Sequence, residues 1–180
     1  TVLLVLLVLT VVVEKSATAP YGKLWAYFQV HVTQPATQRY CRQSGGNLVT
    51  VDSASETQFL IKEFLNSQMK LNDGRILVQI RGVWIGLHMP GLTGAAPTDK
   101  SQDIWASGAP TNTYSNWGRA QKASNDKPAV PDQPDGEVQE LGDVSSCVYA
   151  VAFRDYWQRD VGTWNDVRCH NPKPFICEFG

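Results

Sequence analysis

The first half of the chain alternates short apolar stretches with segments of helical character. Leu24–Val32 is rich in aromatic and β-branched residues, which predicts a first strand. Pro35 suits the first turn of a helix, which continues over residues 36–43 until the Gly45–Gly46 pair stops it. Residues 47–51 then alternate as a second, short strand.

A second helix begins with a capping box and is followed by a buried strand. Ser53 stands three residues before Glu56, a spacing in which each side chain can bond to the backbone of the other residue. The residues of this helix that we expect in the core are Phe59, Leu60, Phe64 and Leu65. Residues 82–89 form a continuous apolar run, which predicts a buried strand.

The second half contains a long polar segment before the apolar pattern returns. Residues 90–143 are dominated by Gly, Pro, Ser, Asn and Asp, which predicts a loop of about fifty residues. A loop of this length in a compact domain is usually functional or disordered. Trp105 and Trp117 are candidates to anchor it, and residues 118–131 are the stretch that we expect to be locally flexible. Further strands are expected at residues 147–153, near Thr163-Trp164 and at 175–179.

The N-terminal residues have the character of a secretory leader. Residues 1–13 are uncharged and almost entirely Leu and Val, which is too short for a membrane span but suits a signal-peptide core. Ala17-Thr18-Ala19 offers a small-x-small cleavage signal. We therefore interpret residues 1–19 as a signal-peptide remnant and residues 20–180 as one domain. A clipped type II membrane anchor and an apolar N-terminal strand kept in the mature protein are the alternatives.

Composition and charge narrow the possible functions. A chain of 180 residues with 43% hydrophobic content can bury the core of one domain. The formal net charge is -1 and the basic residues are scattered, so no general attraction to nucleic acid or to an anionic membrane is expected. The sequence has no H-E-x-x-H, no G-x-S-x-G and no Gly-rich phosphate loop after a strand, which predicts a protein that is not an enzyme.

The four cysteines are Cys41, Cys147, Cys169 and Cys177, and an even number suits an oxidising compartment. They predict two disulfide bonds, with three pairings that spacing alone leaves open. Zinc is the competing use, but the sequence has no Cys-x-x-Cys pair and Cys41 is more than a hundred residues from the others. The three histidines follow no ligand or triad spacing, so we expect them to be structural or exposed.

Oxygen-bearing side chains concentrate in two short motifs. Gln133-Pro134-Asp135 offers an amide oxygen and a carboxylate flanking a proline, and Trp164-Asn165-Asp166 offers the same pair beside a bulky apolar residue. Calcium takes about six to eight hard oxygen ligands, commonly a mixture of amide and carboxylate groups. A cis bond before Pro134 would point the side chains of Gln133 and Asp135 the same way. The two motifs therefore predict a Ca2+ site formed by Gln133, Asp135, Asn165 and Asp166.

The order of these motifs resembles that of C-type lectin domains. The pattern is Cys41 in the first helix, Trp84-Ile85-Gly86-Leu87, a long loop, Gln133-Pro134-Asp135, Cys147, Trp164-Asn165-Asp166, Cys169 and Cys177. The resemblance implies an α+β fold of two small antiparallel sheets flanked by two helices, with a long loop region. It also implies the disulfide bonds Cys41–Cys177 and Cys147–Cys169, as in the short form of the domain.

In sugar-binding members of this family, Gln-Pro-Asp is similar to the galactose-type motif. The resemblance implies that two neighbouring sugar hydroxyls complete the calcium shell and hydrogen-bond to the same side chains, so that sugar binding requires calcium. The expected protein is a secreted lectin whose partners are glycans, galactose or related sugars, and not nucleic acid. Its mature domain is expected not to insert into a membrane, and it could form a homo-oligomer or a larger extracellular assembly.

One expected ligand position departs from the family pattern. Ser145 stands where a Glu ligand is usual, two residues before the cysteine that opens the next strand. Asp143 or Glu140 is the candidate to supply the third carboxylate instead. Without either of them the site holds only two carboxylates and calcium would bind weakly or not at all, since calcium affinity falls as charged ligands are lost. Asn125-Asp126 and Asp132 are candidates for an auxiliary calcium site.

The residues that would contact the sugar also depart from the pattern. Residues 118–132 look inserted, and no aromatic residue follows the Gln-Pro-Asp motif to stack on the sugar. Trp157, Tyr156 or Tyr114 is expected to take that role from a neighbouring segment. The alternative function is a calcium-independent interaction module, in which the same fold binds a protein, a mineral surface or another subunit.

Overall fold

The computed structural model describes residues 13, 15–65, 82–89, 103–119, 133–134, 147–152 and 160–180. In these ranges the helices are α1 (Gln34–Gln43) and α2 (Ala54–Leu60), and the strands are β1 (Lys15–Thr18), β2 (Leu24–Val32), β3 (Asn47–Leu48), β4 (Gly82–His88), β5 (Ile104–Trp105), β6 (Cys147–Val151), β7 (Trp164–Val167) and β8 (Lys173–Phe179). A 3-10 turn, Pro20–Gly22, precedes β2, and a π-helical turn, Ile61–Leu65, continues α2. The fold is α+β, as predicted.

Both predicted helices form for the predicted local reasons. α1 has Pro35 in its first turn and ends before Gly45, whose φ of 86° lies in the left-handed region that glycine adopts without strain. At the start of α2, the Ser53 hydroxyl accepts the backbone N–H of Glu56 at 3.2 Å. The return bond of the capping box is shifted by one residue, because the Glu56 carboxylate accepts from the N–H of Asp52 at 2.9 Å.

The described strands form one sheet in the order β1-β2-β8-β4-β6-β7, with β3 beside β8 and β5 beside β4. The pairs are antiparallel except for β4 with β8, which are parallel and meet at Trp84 and Phe175. The two antiparallel groups expected from the resemblance are therefore joined into a single mixed sheet by this parallel pair.

Alternate side chains of the central strands fill two core clusters. Trp25 and Tyr27 of β2 belong to the cluster that also contains Phe64 from the turn after α2. Ala26 and Phe28 of the same strand belong to the other cluster, which contains Cys41 of α1. Since successive side chains of a strand point to opposite faces, α1 and α2 cover opposite faces of the sheet.

The predicted strand over residues 47–51 ends earlier than expected, at Leu48. The N–H of Val49 donates to the carbonyl of Ile176 in β8, and the carbonyl of Val49 accepts from Gly86 in β4, both at 2.9 Å. The backbone at Val49 therefore bonds to two different strands and cannot continue as a regular partner of β8.

Two disulfide bonds tie the helix and the strands together. Cys41 in α1 is bonded to Cys177 in β8, and Cys147 in β6 is bonded to Cys169 just after β7. These are the pairs that the family resemblance implies. Cys41, Cys147 and Cys177 are fully buried, so the bridges belong to the core.

The segment assigned to the end of the leader is part of the sheet. β1 pairs with β2 over four residues, from Lys15 opposite Tyr27 to Thr18 opposite Leu24. The side chain of Lys15 donates to the carbonyl and the carboxylate of Glu63. The boundary between residues 19 and 20 stays a prediction. Within the ranges given above, no helix combines the length and the apolar character needed to cross a membrane.

A buried group of charged side chains joins α2 to the last strand. The Glu56 side chain is fully buried, and Lys23 Nζ lies 3.1 Å from its Oε1 and 3.7 Å from Oε2 of Glu178. Burial raises the pKa of Glu56, and a hydrogen bond with the Asp52 side chain raises it further. Lys23 lowers this pKa and so offsets part of the increase. Burial also raises the pKa of Glu178. Both carboxyls therefore bind protons more readily in the folded protein.

We expect Glu56 and Glu63 to give opposite pH dependences of stability. A carboxyl whose folded pKa is raised contributes stability that is lost as the pH rises through that pKa, so wild type should gain stability relative to Glu56→Gln as the pH falls from about 7 to about 4.5. A hydrogen bond from Lys15 lowers the pKa of Glu63. Wild type should therefore lose stability relative to the control Glu63→Gln below about pH 4.5. Thermal melts across this pH range measure both stability differences. If the two differences changed with pH in the same direction, the opposite pKa shifts of Glu56 and Glu63 would be contradicted.

Candidate functional site

Strand β7 positions two of the predicted calcium ligands. Its antiparallel pairing with β6 places Asn165 opposite Tyr149 and Asp166 opposite Val148. Only 7% of Asn165 and 4% of Asp166 is exposed to solvent. Buried polar side chains require hydrogen-bond partners or a bound ion, because an unsatisfied polar group away from water costs free energy.

The Asn165 amide is held in a defined orientation. Its Nδ2 donates to the backbone carbonyl of Asp166 at 2.8 Å, so the amide leans along the strand towards Asp166. Its Oδ1 is buried and accepts no hydrogen bond from the described part of the chain. A buried acceptor without a donor costs about 1–3 kcal/mol, so this oxygen is suited to bind a cation or a ligand donor.

Gly118 connects Gln133 to the start of β7. The N–H of Gln133 donates to the carbonyl of Gly118 at 2.9 Å, and the N–H of Gly118 donates to the carbonyl of Trp164 at 3.0 Å. Two backbone hydrogen bonds through Gly118 therefore link Gln133 to Trp164, the residue before Asn165. The Gln133 side chain is 7% exposed, and the Gln133–Pro134 peptide bond is cis.

Several predicted site residues lie outside the described ranges. These are Asp135, Asp143, Glu140, Trp157, Tyr156, Asn125, Asp126 and Asp132. Tyr114, the other candidate for stacking on a sugar, is described. Its hydroxyl lies 2.9 Å from Thr57 Oγ1, and its ring packs edge-on against Trp164 with centroids 5.8 Å apart. Tyr114 is therefore held against the core cluster.

The chemistry of the described ligands suits a hard cation. Amide and carboxylate oxygens favour calcium or magnesium over zinc. In the described ranges, one group of three His, Cys, Asp or Glu residues has ligand atoms close enough to share a metal, namely His88, Cys147 and Cys169. The two sulfurs of that group are bonded to each other, so neither is available as a thiolate ligand.

Sequence reasoning missed two features around the site. Gly118 is the link between the two motifs, and a Cβ there would contact the Gln133 side chain at 3.5 Å. Tyr149, opposite Asn165, is 4% exposed and is covered by Lys173, whose Nζ lies 4.1 Å from the ring centroid. Both features depend on strand register and on contacts distant in sequence, and no local motif indicates them.

Comparison with known families identifies the domain type. The family model described as Lectin C-type domain matches residues 31–179. C-type mannose receptor 2 of Rattus norvegicus is 26% identical over 154 residues, a match that covers 86% of this chain and 8% of the receptor. The chain therefore corresponds to a small part of that relative.

Solved structures share the fold. Human lithostathine has a TM-score of 0.58 at 22% identity, over 92% of this chain and 97% of that one. The cow C-type carbohydrate-recognition domain of CD23, determined in the presence of a GlcNAc2Man3 oligosaccharide, has a TM-score of 0.52 at 23% identity, over 87% of each chain. A calcium-independent type II antifreeze protein has a TM-score of 0.51 at 19% identity, over 88% of this chain and 86% of that one.

Proposed function

Because the chain belongs to the C-type lectin domain family, we propose that it is a secreted protein that binds galactose-type glycans through a calcium ion. Domains of this family are typically binding modules without catalytic activity. The sequence agrees with this, since it contains no motif that pairs a nucleophile with a base.

The observation that carries the proposal is the buried Oδ1 of Asn165, which accepts no hydrogen bond from the described residues. The bond from Nδ2 to the Asp166 carbonyl fixes which end of the amide is left to bind a ligand. A cation at Oδ1 would remove the desolvation cost of that oxygen, and the neighbouring Asp166 would supply negative charge.

The rest of the proposed ligand set comes from the other motif. Gln133 is held beside β7 by Gly118, and Asp135 follows it two residues later. We propose that these two side chains complete the ligand set with Asn165 and Asp166. The third carboxylate would come from Asp143 or Glu140, because Ser145 cannot supply it.

The sugar would bind to the same group of side chains. Bound calcium would supply coordination positions for two neighbouring hydroxyls of the sugar, and the ligand side chains would hydrogen-bond to those hydroxyls. The order Gln-Pro-Asp supports galactose and related sugars. Trp157 is the proposed residue that stacks on the apolar face of the ring.

The proposed setting is extracellular. Two disulfide bonds are typical of an oxidising compartment, and residues 1–19 are proposed to be a leader remnant that precedes the domain at 20–180. A homo-oligomer or a larger extracellular assembly is part of the proposal, since several copies of a weak glycan site would strengthen binding through avidity.

A calcium-independent interaction module is the second candidate. Ser145 favours it, because the site then lacks a carboxylate that the family usually provides. The fold similarity to a calcium-independent antifreeze protein shows that this scaffold occurs without a calcium requirement. In this alternative, the same surface would bind a protein or a mineral.

Calcium titration of the wild-type protein distinguishes the two candidates. At a calcium concentration of about 100 times the dissociation constant, binding adds about 2.7 kcal/mol to the free energy of unfolding. For a domain of this size we expect a rise of about 5–10 °C in melting temperature, together with retention on galactose resin that EDTA reverses. If the melting temperature does not rise and the protein is not retained on the resin, the calcium-independent module is favoured. A rise in melting temperature without retention would exclude galactose as the ligand.

A further inference from the structure

A histidine stands beside the Cys147–Cys169 disulfide bond. β4 and β6 pair so that His88 is directly opposite Cys147, and the side chains of such a cross-strand pair lie on the same face of the sheet. His88 Nδ1 is 3.6 Å from Cys147 Sγ. The two sulfurs and a ring nitrogen of His88 all lie within 4.8 Å of one another. If the disulfide bond were reduced, three ligands that suit a soft metal ion would therefore be close together.

The spacing of these atoms fits zinc. Zinc binds thiolate sulfur at about 2.3 Å and imidazole nitrogen at about 2.0–2.1 Å, in a tetrahedral arrangement. These bond lengths set the distance between a sulfur and a nitrogen ligand at about 3.6 Å, and between two sulfur ligands at about 3.8 Å. The distance from His88 Nδ1 to Cys147 Sγ already has the first value. Only the two sulfurs would have to move apart once their bond is broken.

The two disulfide bonds differ in their access to solvent. Cys169 and His88 are half-buried, whereas Cys41 and Cys177 are fully buried. His88 also lines a groove of about 560 Å³ between α1 and β5, which gives a metal ion or a small thiol a path to the imidazole. Since the rate of thiol exchange depends on access, we expect a thiol to attack the Cys147–Cys169 bond first.

Reduction of this bond is a balanced exchange with a dithiol. One thiolate of the dithiol attacks Cys169 Sγ, and the electron pair of the broken S–S bond leaves on Cys147 Sγ. The second thiolate then attacks the dithiol's own first sulfur, which releases Cys169 and leaves the dithiol as a cyclic disulfide. Two electrons pass from the dithiol to the protein, and the two protons of the dithiol end on the two cysteine sulfurs.

The surroundings of Cys147 suit the reduced form. Gln34 Nε2 donates to the carbonyls of Ile85 and Leu87 at 2.9 and 3.0 Å, so this buried amide is held in one orientation. Its Oε1 lies 2.9 Å from Cys147 Sγ. A sulfur in a disulfide bond carries no hydrogen, whereas the S–H of a reduced cysteine can donate to this oxygen. Reduction therefore supplies a hydrogen-bond donor to Gln34 Oε1.

We propose that reduction of the Cys147–Cys169 bond creates a zinc site with Cys147, Cys169 and His88 as its ligands. Zinc binding releases the two thiol protons, because the metal takes thiolates and a neutral imidazole. A fourth position is left for water, which can donate to Gln34 Oε1 in place of the thiol. The site shares no ligand with the proposed calcium site and does not depend on the proposed function. It exists only where a dithiol reductant reaches the protein.

The first test measures which bond is reduced. The full chain is treated with dithiothreitol without denaturant, and the reductant is removed by gel filtration under argon so that it cannot bind metal. Alkylation followed by peptide mass spectrometry should find Cys147 and Cys169 modified, with Cys41 and Cys177 still bonded to each other. An intact Cys147–Cys169 bond, or alkylation of all four cysteines, would overturn the proposal.

The second test measures metal binding to this reduced protein, with calcium in excess to occupy oxygen ligands. Cobalt(II), the probe for the zinc position, should give a thiolate-to-cobalt charge-transfer band that the oxidised protein lacks, and added zinc should remove the band. The proton–nitrogen NMR resonances of the His88 imidazole should shift when zinc binds. A reduced protein without the cobalt band would overturn the proposal.

Two histidine variants test the third ligand. His88→Ala should weaken zinc binding by at least the factor of about 10–100 that follows loss of a ligand's own hydrogen-bond partner. The matched control is His170→Ala, at an exposed histidine next to Cys169, which should bind zinc like wild type. Unchanged circular dichroism of the oxidised variants separates loss of a ligand from misfolding. Wild-type zinc affinity in His88→Ala, or weakened binding in His170→Ala alone, would overturn the assignment of His88.

Discussion

Replacing Asn165 with alanine should abolish the calcium-dependent rise in melting temperature and the retention on galactose resin. The variant removes the oxygen that we propose as a ligand and leaves the neighbouring carboxylate in place. In EDTA its stability should stay within about 2 kcal/mol of wild type, because loss of the hydrogen bond from Nδ2 to Asp166 is offset by removal of the buried Oδ1, which accepts no hydrogen bond from the described residues. Thermal melts with and without calcium measure both quantities.

The matched control for this variant is Asn171→Ala. Asn171 lies in the turn after β7 and is half-buried, and no structural feature places its side chain among the proposed ligands. This control should keep the full calcium response and the retention on resin. If Asn165→Ala also kept the full response, Oδ1 would not be a ligand, and the proposed calcium site would have to be abandoned.

Removing the Cys41–Cys177 bridge should destabilise the fold more than removing the Cys147–Cys169 bridge. The bonded cysteines are separated by 136 residues in the first bridge and by 22 in the second. In the chain-entropy model these separations correspond to about 5 and about 3 kcal/mol. Cys41 and Cys177 are also fully buried between α1 and β8, so their loss removes packing as well.

Urea denaturation in EDTA of the two double alanine variants measures this order, with wild type as the reference. Replacing both cysteines of a pair prevents a free thiol from forming new bonds. If both double variants lost the same free energy of unfolding, or the variant without the shorter loop lost more, native-state strain or residual structure in the unfolded chain would outweigh loop entropy here.

Local patterns predicted most of the first half of the fold. β2 has the predicted bounds because its aromatic and β-branched residues suit a half-buried, pleated surface. The Ser53 cap forms because its bond partner is only three residues away. Val49 departs from the prediction because its two backbone bonds go to β8 and β4, which lie far away in sequence. The apolar run of residues 1–13 and the Ala17-Thr18-Ala19 signal place residues 15–18 in the interpreted leader. The pairing of β1 with β2 cannot be predicted locally, since Lys-Ser-Ala-Thr has little strand propensity of its own.

The candidate site could be predicted in its residue types and only partly in its geometry. The two motifs identified Gln133, Asn165 and Asp166, and the structure buries all three. The role of Gly118 could not be predicted, because it depends on backbone contacts to residues far away in sequence. The tryptophans of the long loop were expected as anchors. That their rings pack edge-on against Trp164 depends on contacts far away in sequence, which a local pattern does not encode.

The loop that bonds to β7 has a consequence for solubility. β7 is the last of the described strands in the sheet order, and the outer edge of such a strand is a template on which other chains can add and aggregate. Here the N–H of Trp164 donates to Asn116 and its carbonyl accepts from Gly118, so the loop occupies these edge groups. The segment that holds Gln133 beside β7 therefore also blocks the addition of another strand at Trp164, where that edge begins.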